Sequence, residues 1–213
     1  MIRIIIADDH TLVRAGINAL LSSKKDIKVI DQTASGMEAV KLCKKLNPDV
    51  ALLDLSMPDL DGLDATKMIL ADNPKIKVLI LTMYENEEYA SRALNAGASG
   101  FIVKSVAPEE LPDAIRKVFS GDVYITHSIM KKMVLQKSKR HEDNMLSILS
   151  DRELQVFHKL ARGVSYGRIS EELCMSSSTV ASYKSRIMKK LGMENNAELL
   201  HYAIRIGLVD KYE

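Results

Sequence analysis

Five polar residues in the N-terminal part of the sequence each stand at the end of an apolar, β-branched run. They comprise three carboxylates, a hydroxyl and an ammonium group: Asp8, Asp9, Asp54, Thr82 and Lys104. Three carboxylates that lie close together repel one another, so such a group needs a cation. Hard oxygen ligands with room for water suit Mg²⁺. A carboxylate beside that metal can attack phosphorus and form an acyl phosphate, and the role falls to Asp54, which interrupts the apolar run VALLDL.

The lysine and the threonine fit the same chemistry. Lys104 and the metal would balance the charge of the transferred group, and Thr82 could hydrogen-bond one of its oxygens. Taken alone, each acidic residue is better explained as a solvated strand end or a helix N-cap. The prediction of a phosphoryl-transfer site therefore depends on all five residues lying together.

They lie together if the apolar runs form one parallel sheet. Residues 1–121 alternate five such runs (RIIIA, KVID, DVALLDL, KVLILT and GFIVK) with five stretches of helical periodicity. This alternation is typical of an α/β domain whose parallel sheet is covered by helices on both faces. In a doubly wound, flavodoxin-like sheet of order 2-1-3-4-5, ligands bind where the first and third strands meet, at the carboxyl ends. We place Pro112 in the first turn of the last helix, because proline cannot donate inside a helix.

The motifs ADDH, LLDLSMPDLDG, LTMYE and GASGFIVKS, in this order and spacing, closely resemble the receiver domain of bacterial two-component response regulators. The resemblance covers residues 1–121. It implies that a partner sensor histidine kinase phosphorylates Asp54. It also implies that Asp9, Asp54 and the backbone carbonyl of Ser56 bind Mg²⁺, with Asp8 contributing through water.

The same resemblance assigns roles to three further residues. Lys104 would contact the phosphoryl group. Thr82 and Phe101 would be the switch pair that reorients on phosphorylation. Many relatives have tyrosine at the second of these positions, and Phe101 lacks that hydroxyl.

The chain beyond this domain is predicted to be a linker followed by an entirely helical region. Residues 122–146 contain the polar stretch KSKRHEDN and are predicted to be a linker, and residues 147–213 form a second, small all-α domain. Its first helix begins with Ser150 three residues before Glu153, which is capping-box spacing. Three more helical stretches follow with very short connections (YGRISEELCM, SSTVASYKSRIMKKLG and NAELLHYAIRIG). Four helices, the second and third linked by a tight turn, indicate a helix-turn-helix domain.

The third of these helices has two different sides. No Asp or Glu occurs from Leu173 to Met193. At about 100° per residue, one side of the helix is apolar, and the opposite side is small at its start and basic at its end. Small hydroxyl residues allow close approach to the DNA major groove, whereas lysine and arginine bind phosphates. We expect Ser177 to cap this helix, and we predict that it contacts DNA through Ser178, Thr179, Ser182, Tyr183, Lys184, Ser185, Arg186 and Lys189.

Residues 147–209 also resemble the LuxR-type DNA-binding domain, on the stretches LSDRELQVFHKLARGVSYGRISEEL and STVASYKSRIMKKLGMENNAELLHYAI. With the receiver, this resemblance implies a response regulator of the NarL/FixJ class. The chain departs from many members at Ala181 and Tyr183, where they carry Lys and His, and at residues 166–168, where they carry Asn-Lys-Glu. Ala181 cannot supply base recognition by hydrogen bonding, so we expect the neighbouring serines and basic residues to supply it.

We predict a two-state switch that couples the two domains. In the unphosphorylated state the receiver packs over the recognition helix, and phosphorylation frees it. The polar linker at residues 137–144 would permit the movement. A homodimer formed on activation would read inverted half-sites in double-stranded promoter DNA. Its predicted contact surface comprises four residues of the last helix: Ala197, Leu200, Ala203 and Ile204.

Composition limits the remaining possibilities. The 213-residue chain has a formal net charge of +2, and no apolar run approaches the roughly 18 residues that a membrane span needs. The start MIRIIIADDH becomes acidic too soon for a signal peptide. Cys43 and Cys174 are expected to be buried free thiols within helices, because they are far apart in the sequence. We therefore expect a cytoplasmic protein with no membrane partner.

Three other functions are compatible with parts of the pattern. Phosphatases of the haloacid dehalogenase type also use a nucleophilic aspartate with Mg²⁺, but they place a second aspartate where this chain has Ser56. A helical domain that binds protein would show no salt-sensitive DNA binding. A DNA-binding protein that is not phosphorylated would not need the complete acidic pocket.

Overall fold

The computed structural model describes residues 1–137, 145–206 and 208–209. The chain divides into two compact units, Met1–Lys137 and Ser138–Glu213. Of the predicted linker, residues 122–146, residues 138–144 lie outside the described residues, whereas residues 122–137 belong to the first unit. Within the described residues, no helix is both long enough and apolar enough to cross a membrane.

The first unit is built on a parallel sheet of six short strands in the order β2-β1-β3-β4-β5-β6. The strands are β1 (Ile2–Ala7), β2 (Ile27–Thr33), β3 (Val50–Asp54), β4 (Lys77–Thr82), β5 (Gly100–Val103) and β6 (Tyr124–Ile125). Every neighbouring pair is parallel. The predicted order 2-1-3-4-5 is confirmed, and the two-residue strand β6 extends the sheet beyond β5.

Six helices connect and follow these strands. They are α1 (Thr11–Ser22), α2 (Gly36–Leu46), α3 (Gly62–Asp72), α4 (Glu87–Asn95), α5 (Ala107–Ser120) and α6 (His127–Lys137). Helix α1 packs against α5, whereas α2, α3 and α4 pack against one another in series. All five residues of β3 are buried, as expected for a strand covered on both faces.

Pro112 does not occupy the position that the sequence predicts. Helix α5 begins at Ala107 with Pro108 in its first turn, and Pro112 lies inside the helix. An internal proline costs about 3 kcal/mol, mainly because one backbone hydrogen bond is lost. The apolar side of α5 is fully buried against the sheet, through Leu111, Ala114, Ile115 and Val118. Each larger buried side chain contributes about 1.5–3 kcal/mol, which outweighs that loss.

The described residues of the second unit form a short 3₁₀ helix and four α-helices. They are the 3₁₀ helix Met145–Ile148, then α7 (Asp151–Ala161), α8 (Tyr166–Glu172), α9 (Ser177–Leu191) and α10 (Asn196–Arg205). Both α7 and α8 pack on α9, and the fully buried side chains that join them include Leu154, Phe157, Ile169, Val180 and Ile187. The predicted capping box between Ser150 and Glu153 is present.

The turn between α8 and α9 differs from the prediction in two details. Cys174 is exposed and adopts a left-handed conformation with φ of 48°, so it is neither buried nor helical; Cys43 is buried as predicted. This turn moves the start of α9, so the cap is Ser176, whose side chain accepts a hydrogen bond from the Thr179 amide at 3.1 Å. Ser177 is the first residue of the helix and does not cap it.

Candidate phosphorylation site and DNA-binding surface

The carboxyl ends of four strands meet at one edge of the sheet. The parallel register places Ala7 beside Leu53, Asp54 beside Leu81, and Thr82 beside Val103. Asp8 follows β1, Asp54 ends β3, Thr82 ends β4 and Lys104 follows β5. The sheet therefore brings together the residues that the sequence places at strand ends.

Lys104 is the buried cation of this edge. Its ammonium group lies 2.8 Å from a carboxylate oxygen of Asp8 and 2.9 Å from one of Asp54. Burial by itself would lower the pKa of the lysine, but the attraction of Asp54 and Asp8 holds that pKa above its usual value. Lys104 is therefore charged at every physiological pH and joins two strand ends.

Asp54 lies in an environment that opposes its ionisation. The residue is 3% exposed. Burial raises its pKa from 3.8 to about 6; Lys104 acts in the opposite direction, and the negative charges of Asp8 and Asp9 add to the rise. At pH 7 about nine-tenths of a carboxyl group with this pKa is ionised. Asp54 is thus a carboxylate at neutral pH, paired with Lys104 and lying beside two further acidic residues, Asp8 and Asp9.

His10 completes the acidic cluster, although the sequence prediction did not include it. Its Nδ1 lies 2.7 Å from a carboxylate oxygen of Asp9, and its backbone N–H donates to Asp8 at 2.9 Å. One ligand atom from each of Asp8, Asp9, His10 and Asp54 lies within 4.8 Å of the others. An acidic cluster of this kind is typical of a magnesium-binding phosphorylation site. The motif ADDH already placed His10 beside the aspartates, so its position was the available signal.

The loop after β3 is shaped around Asp54. The side chain of Asp61 caps α3 by accepting from the amides of Leu63 and Asp64. The N–H of Gly62 donates to the Leu55 carbonyl at 2.9 Å. A Cβ at Gly62 would lie 2.3 Å from the carbonyl oxygen of Asp54, so only glycine fits there. The motif LLDLSMPDLDG therefore encodes a close return of the chain past the acidic residue.

The remaining predicted residues of the first unit lie on or beside the same edge. Thr82 is buried, and its hydroxyl oxygen accepts from the Tyr84 amide at 3.2 Å. Ser56 is half-buried and donates its hydroxyl to the Tyr84 hydroxyl at 3.5 Å. Phe101 is fully buried within β5. Tyr84 thus links the loops after β3 and β4, and the sequence prediction missed it because no sequence pattern indicates where its side chain points.

In the second unit, the predicted DNA-contact residues all lie on the part of the α9 surface that is at least partly exposed. Those exposed to solvent are Ser178, Ser182, Ser185, Arg186 and Lys189, and those half-buried are Thr179, Tyr183 and Lys184. The opposite side of the helix is buried through Val180, Ile187 and Leu191. The two-sided pattern is therefore as predicted.

Neighbouring groups restrain several of these side chains. The Arg186 guanidinium lies 5.1 Å from the centre of the Tyr183 ring, and the Lys184 ammonium 5.6 Å from that of Tyr166. The Ser182 hydroxyl donates to the Ser178 carbonyl at 2.9 Å. These contacts orient the side chains along the helix surface and leave them at its exposed face.

Lys190 has a structural role that separates it from the DNA-contact residues. Its ammonium lies 2.6 Å from a carboxylate oxygen of Glu153, which is buried in α7. Burial would raise the pKa of Glu153, but hydrogen bonds from Lys190 and Ser150 hold it below the usual value. The pair fixes α9 to α7.

One predicted contribution to the dimer surface is not possible as stated. Ala203 is fully buried inside the second unit, whereas Ala197 and Leu200 are exposed and Ile204 is half-buried. Ala203 lies on the side of α10 that packs inward beside Leu199 and Tyr202. Of the four residues predicted to form the dimer surface, Ala197, Leu200 and Ile204 are therefore accessible on α10.

Known families match both units. The response regulator receiver domain matches residues 4–116, and the luxR family of bacterial regulatory proteins matches residues 147–203. The chain is 37% identical over 211 residues to the response regulator GacA of Pseudomonas aeruginosa, and the match covers 99% of each protein.

Solved structures of RcsB are similar along most of the chain. One shows RcsB from Salmonella enterica serovar Typhimurium bound to promoter rprA in the presence of the phosphomimetic BeF₃⁻; it is 29% identical with a TM-score of 0.64, over 94% of this chain and 97% of that chain. Another shows two RcsB dimers bound to two parallel DNAs, with 29% identity and a TM-score of 0.59, over 94% of this chain and 96% of that chain.

Proposed function

This chain belongs to the two-component response regulators that carry a LuxR-type DNA-binding domain, and on that premise we propose that phosphorylation of Asp54 controls DNA binding by α9. It is a transcription regulator and not an enzyme that turns over a separate substrate, as the sequence predicted. The observation that carries the proposal is the pairing of the buried Asp54 carboxylate with Lys104 at 2.9 Å, in a cluster with two more carboxylates.

The proposed chemistry is a single phosphoryl transfer. A bond forms between a carboxylate oxygen of Asp54 and phosphorus, while the bond from phosphorus to the donor histidine nitrogen of a sensor kinase breaks. Asp54 must be ionised to attack, and its pKa of about 6 leaves it ionised at neutral pH. Lys104 is already in place to balance the charge of the transferred group.

The carboxylates fit a divalent cation. Asp8, Asp9 and Asp54 supply hard oxygen ligands, and Lys104 alone does not balance their charge. We propose that these three residues and the backbone carbonyl of Ser56 hold Mg²⁺, which would neutralise charge on the phosphoryl oxygens.

For the output, we propose that a homodimer places one α9 helix in each of two major-groove half-sites. The support is the acid-free, exposed face of α9 and the similarity to RcsB, which is bound to DNA as dimers. The BeF₃⁻ present in the RcsB–promoter structure supports control by the phosphorylated state. Both the inverted arrangement of half-sites and the individual base contacts belong to this proposal.

The test compares Asp54→Asn with Asp64→Asn. Asp64 is an exposed residue of α3 that pairs only locally with Lys67, at 2.8 Å, so it is a matched control. We expect radiolabelled acetyl phosphate with Mg²⁺ to label the wild-type protein and Asp64→Asn but not Asp54→Asn. Labelling of Asp54→Asn to the wild-type extent would exclude the assigned site.

The second part of the test measures DNA affinity. A double-stranded fragment is selected from a random pool with BeF₃⁻-treated wild-type protein, and its affinity is then measured with and without BeF₃⁻. We expect BeF₃⁻ to raise the affinity of wild type and Asp64→Asn and to have no effect on Asp54→Asn. Equal wild-type affinities in both conditions would contradict phosphorylation control.

A further inference from the structure

The segment that follows α5 is hydrogen-bonded to the strand that carries Phe101. The Thr126 N–H donates to the Phe101 carbonyl at 3.1 Å, and the Thr126 hydroxyl oxygen accepts from the Val103 N–H at 3.3 Å. Thr126 is 3% exposed, so it is enclosed between these two groups. Val103 immediately precedes Lys104. Thr126 therefore holds the end of β5 from which the lysine reaches the acidic cluster.

The helix that begins after Thr126 also contacts the loop after β4. The Lys132 ammonium donates to the Glu85 carbonyl at 3.1 Å and lies 3.7 Å from its carboxylate. Ile129, one turn earlier, is fully buried, and α6 packs against α4. Glu85 follows Tyr84, whose N–H donates to the hydroxyl of Thr82. Helix α6 is thus anchored to both strand ends that carry the predicted switch residues.

Binding of a phosphoryl group would disturb this anchoring. Phosphoryl oxygens at neutral pH chiefly accept hydrogen bonds, so Thr82 must donate its hydroxyl to reach one. In the present arrangement its oxygen is held by the Tyr84 amide at 3.2 Å. Rotation of the Thr82 side chain toward Asp54 would draw its oxygen away from the Tyr84 amide and loosen the loop to which Lys132 is attached.

We propose that α6, docked through Thr126 and Lys132, is the element that carries the state of Asp54 from the acidic cluster toward the DNA-binding unit. The docked position belongs to the unphosphorylated state, and phosphorylation weakens the contact between Lys132 and Glu85. Helix α6 ends at Lys137, the last residue of the first unit, so a change in its position acts directly on the chain that leads to α7. The inference rests on the proposed control by Asp54.

Linkage between the two sites fixes the expected signs. A change that weakens α6 docking favours the phosphorylated-like state, and therefore tightens both BeF₃⁻ binding and DNA binding without BeF₃⁻. The Lys132 contact is solvent-exposed, so we expect an effect of about two- to five-fold. Lys132 and Thr126 act as positioning residues, since neither touches the reacting atoms.

The experiment uses the full chain and the selected DNA fragment. In Lys132→Ala, we expect DNA affinity without BeF₃⁻ to rise about two- to five-fold, BeF₃⁻ affinity to rise by the same factor, and the activation ratio to fall. Lys132→Arg keeps the donor and should behave as wild type. The matched control is Lys131→Ala, the preceding exposed lysine of the same helix.

A second variant tests the other anchor. Thr126→Val keeps the shape of the side chain and removes the hydroxyl that accepts from the Val103 N–H and donates to the Phe101 carbonyl at 3.5 Å. It should raise the BeF₃⁻ affinity without loss of the cooperative thermal transition. The inference is wrong if Lys132→Ala and Thr126→Val both match wild type in both affinities, or if Lys131→Ala changes them equally. A wild-type protein that does not respond to BeF₃⁻ would instead refute the proposed function itself.

Discussion

Replacement of Asp54 by asparagine should stabilise the Mg²⁺-free protein even though it removes the proposed phosphorylation site. Folding raises the pKa of this carboxyl group from 3.8 to about 6, because the side chain is buried and lies beside other acids. A shift of this size corresponds to about 3 kcal/mol, at 1.36 kcal/mol per pKa unit. This net shift already includes the opposing attraction of Lys104. We therefore expect a net increase of about 1–3 kcal/mol in the free energy of unfolding at pH 8.

The dependence on pH identifies the cause. When folding raises the pKa of a carboxyl group, that group stays protonated up to a higher pH in the folded state than in the unfolded state. Its contribution to stability is therefore fully present below pH 3.8 and is lost as the pH rises through about 6. The difference between Asp54→Asn and wild type should be largest at pH 8, about half as large at pH 5, and small at pH 4.

The assay is urea unfolding of the full chain in EDTA, monitored by circular dichroism. The two units need not unfold together, so the transition of the first unit is identified by its shift on addition of Mg²⁺. A gain of about 2 kcal/mol moves the midpoint by about 1 M urea. Asp64→Asn, an exposed change on α3, should stay within about 0.5 kcal/mol of wild type at every pH. A stability difference for Asp54→Asn that is the same at pH 5 and pH 8 would refute the electrostatic reasoning.

Other variants test the second unit. Lys189→Ala should weaken binding to all DNA sequences and reduce the slope of log affinity against log salt by about 1, as measured by fluorescence anisotropy at several salt concentrations. Substitution of Ser182 or Ser185 should instead change which sites are selected from a random DNA pool, and a uniform loss over all sequences would contradict base readout by these serines. Ser176→Ala should destabilise the second unit by about 1 kcal/mol in thermal unfolding, because the Thr179 amide loses its cap, whereas Ser177→Ala should have little effect; equal effects would contradict the observed start of α9.

The acidic cluster could be predicted from the sequence because a parallel sheet fixes where strand ends lie. Once β1, β3, β4 and β5 are recognised as neighbours, Asp8, Asp54, Thr82 and Lys104 must share an edge, whatever their side chains contact. The contacts themselves were not predictable. Tyr84 reaches Ser56 and Thr82 through a side-chain orientation that depends on packing and leaves no periodic signal in the sequence, whereas the place of His10 in the motif ADDH was a signal that the prediction did not use.

The errors in prediction arose where a local rule competes with tertiary packing. Proline usually marks the first turn of a helix, but the buried apolar side of α5 extends the helix past Pro112. Serine runs such as residues 176–178 offer several equivalent caps, and the left-handed turn at Cys174 decides between them. Strand β6 is only two residues long, which is too short for an alternating pattern to reveal.

The position of Lys104 explains how a change of charge at Asp54 can reach the backbone. In the unphosphorylated arrangement the Lys104 ammonium is shared between Asp8 and Asp54. The backbone N–H of Lys104 donates to the Thr82 carbonyl at 2.7 Å. A phosphoryl group on Asp54 carries more negative charge than the carboxylate and places it farther from the strand, so the ammonium must follow it. The backbone of Lys104 is hydrogen-bonded to Thr82 at the end of β4. The preceding residue, Val103, is hydrogen-bonded to Thr126, which immediately precedes α6. A movement of Lys104 would therefore act on both β4 and the start of α6. In the proposed mechanism, the buried cation that relieves repulsion before phosphorylation is thus also the group through which phosphorylation would act on the sheet.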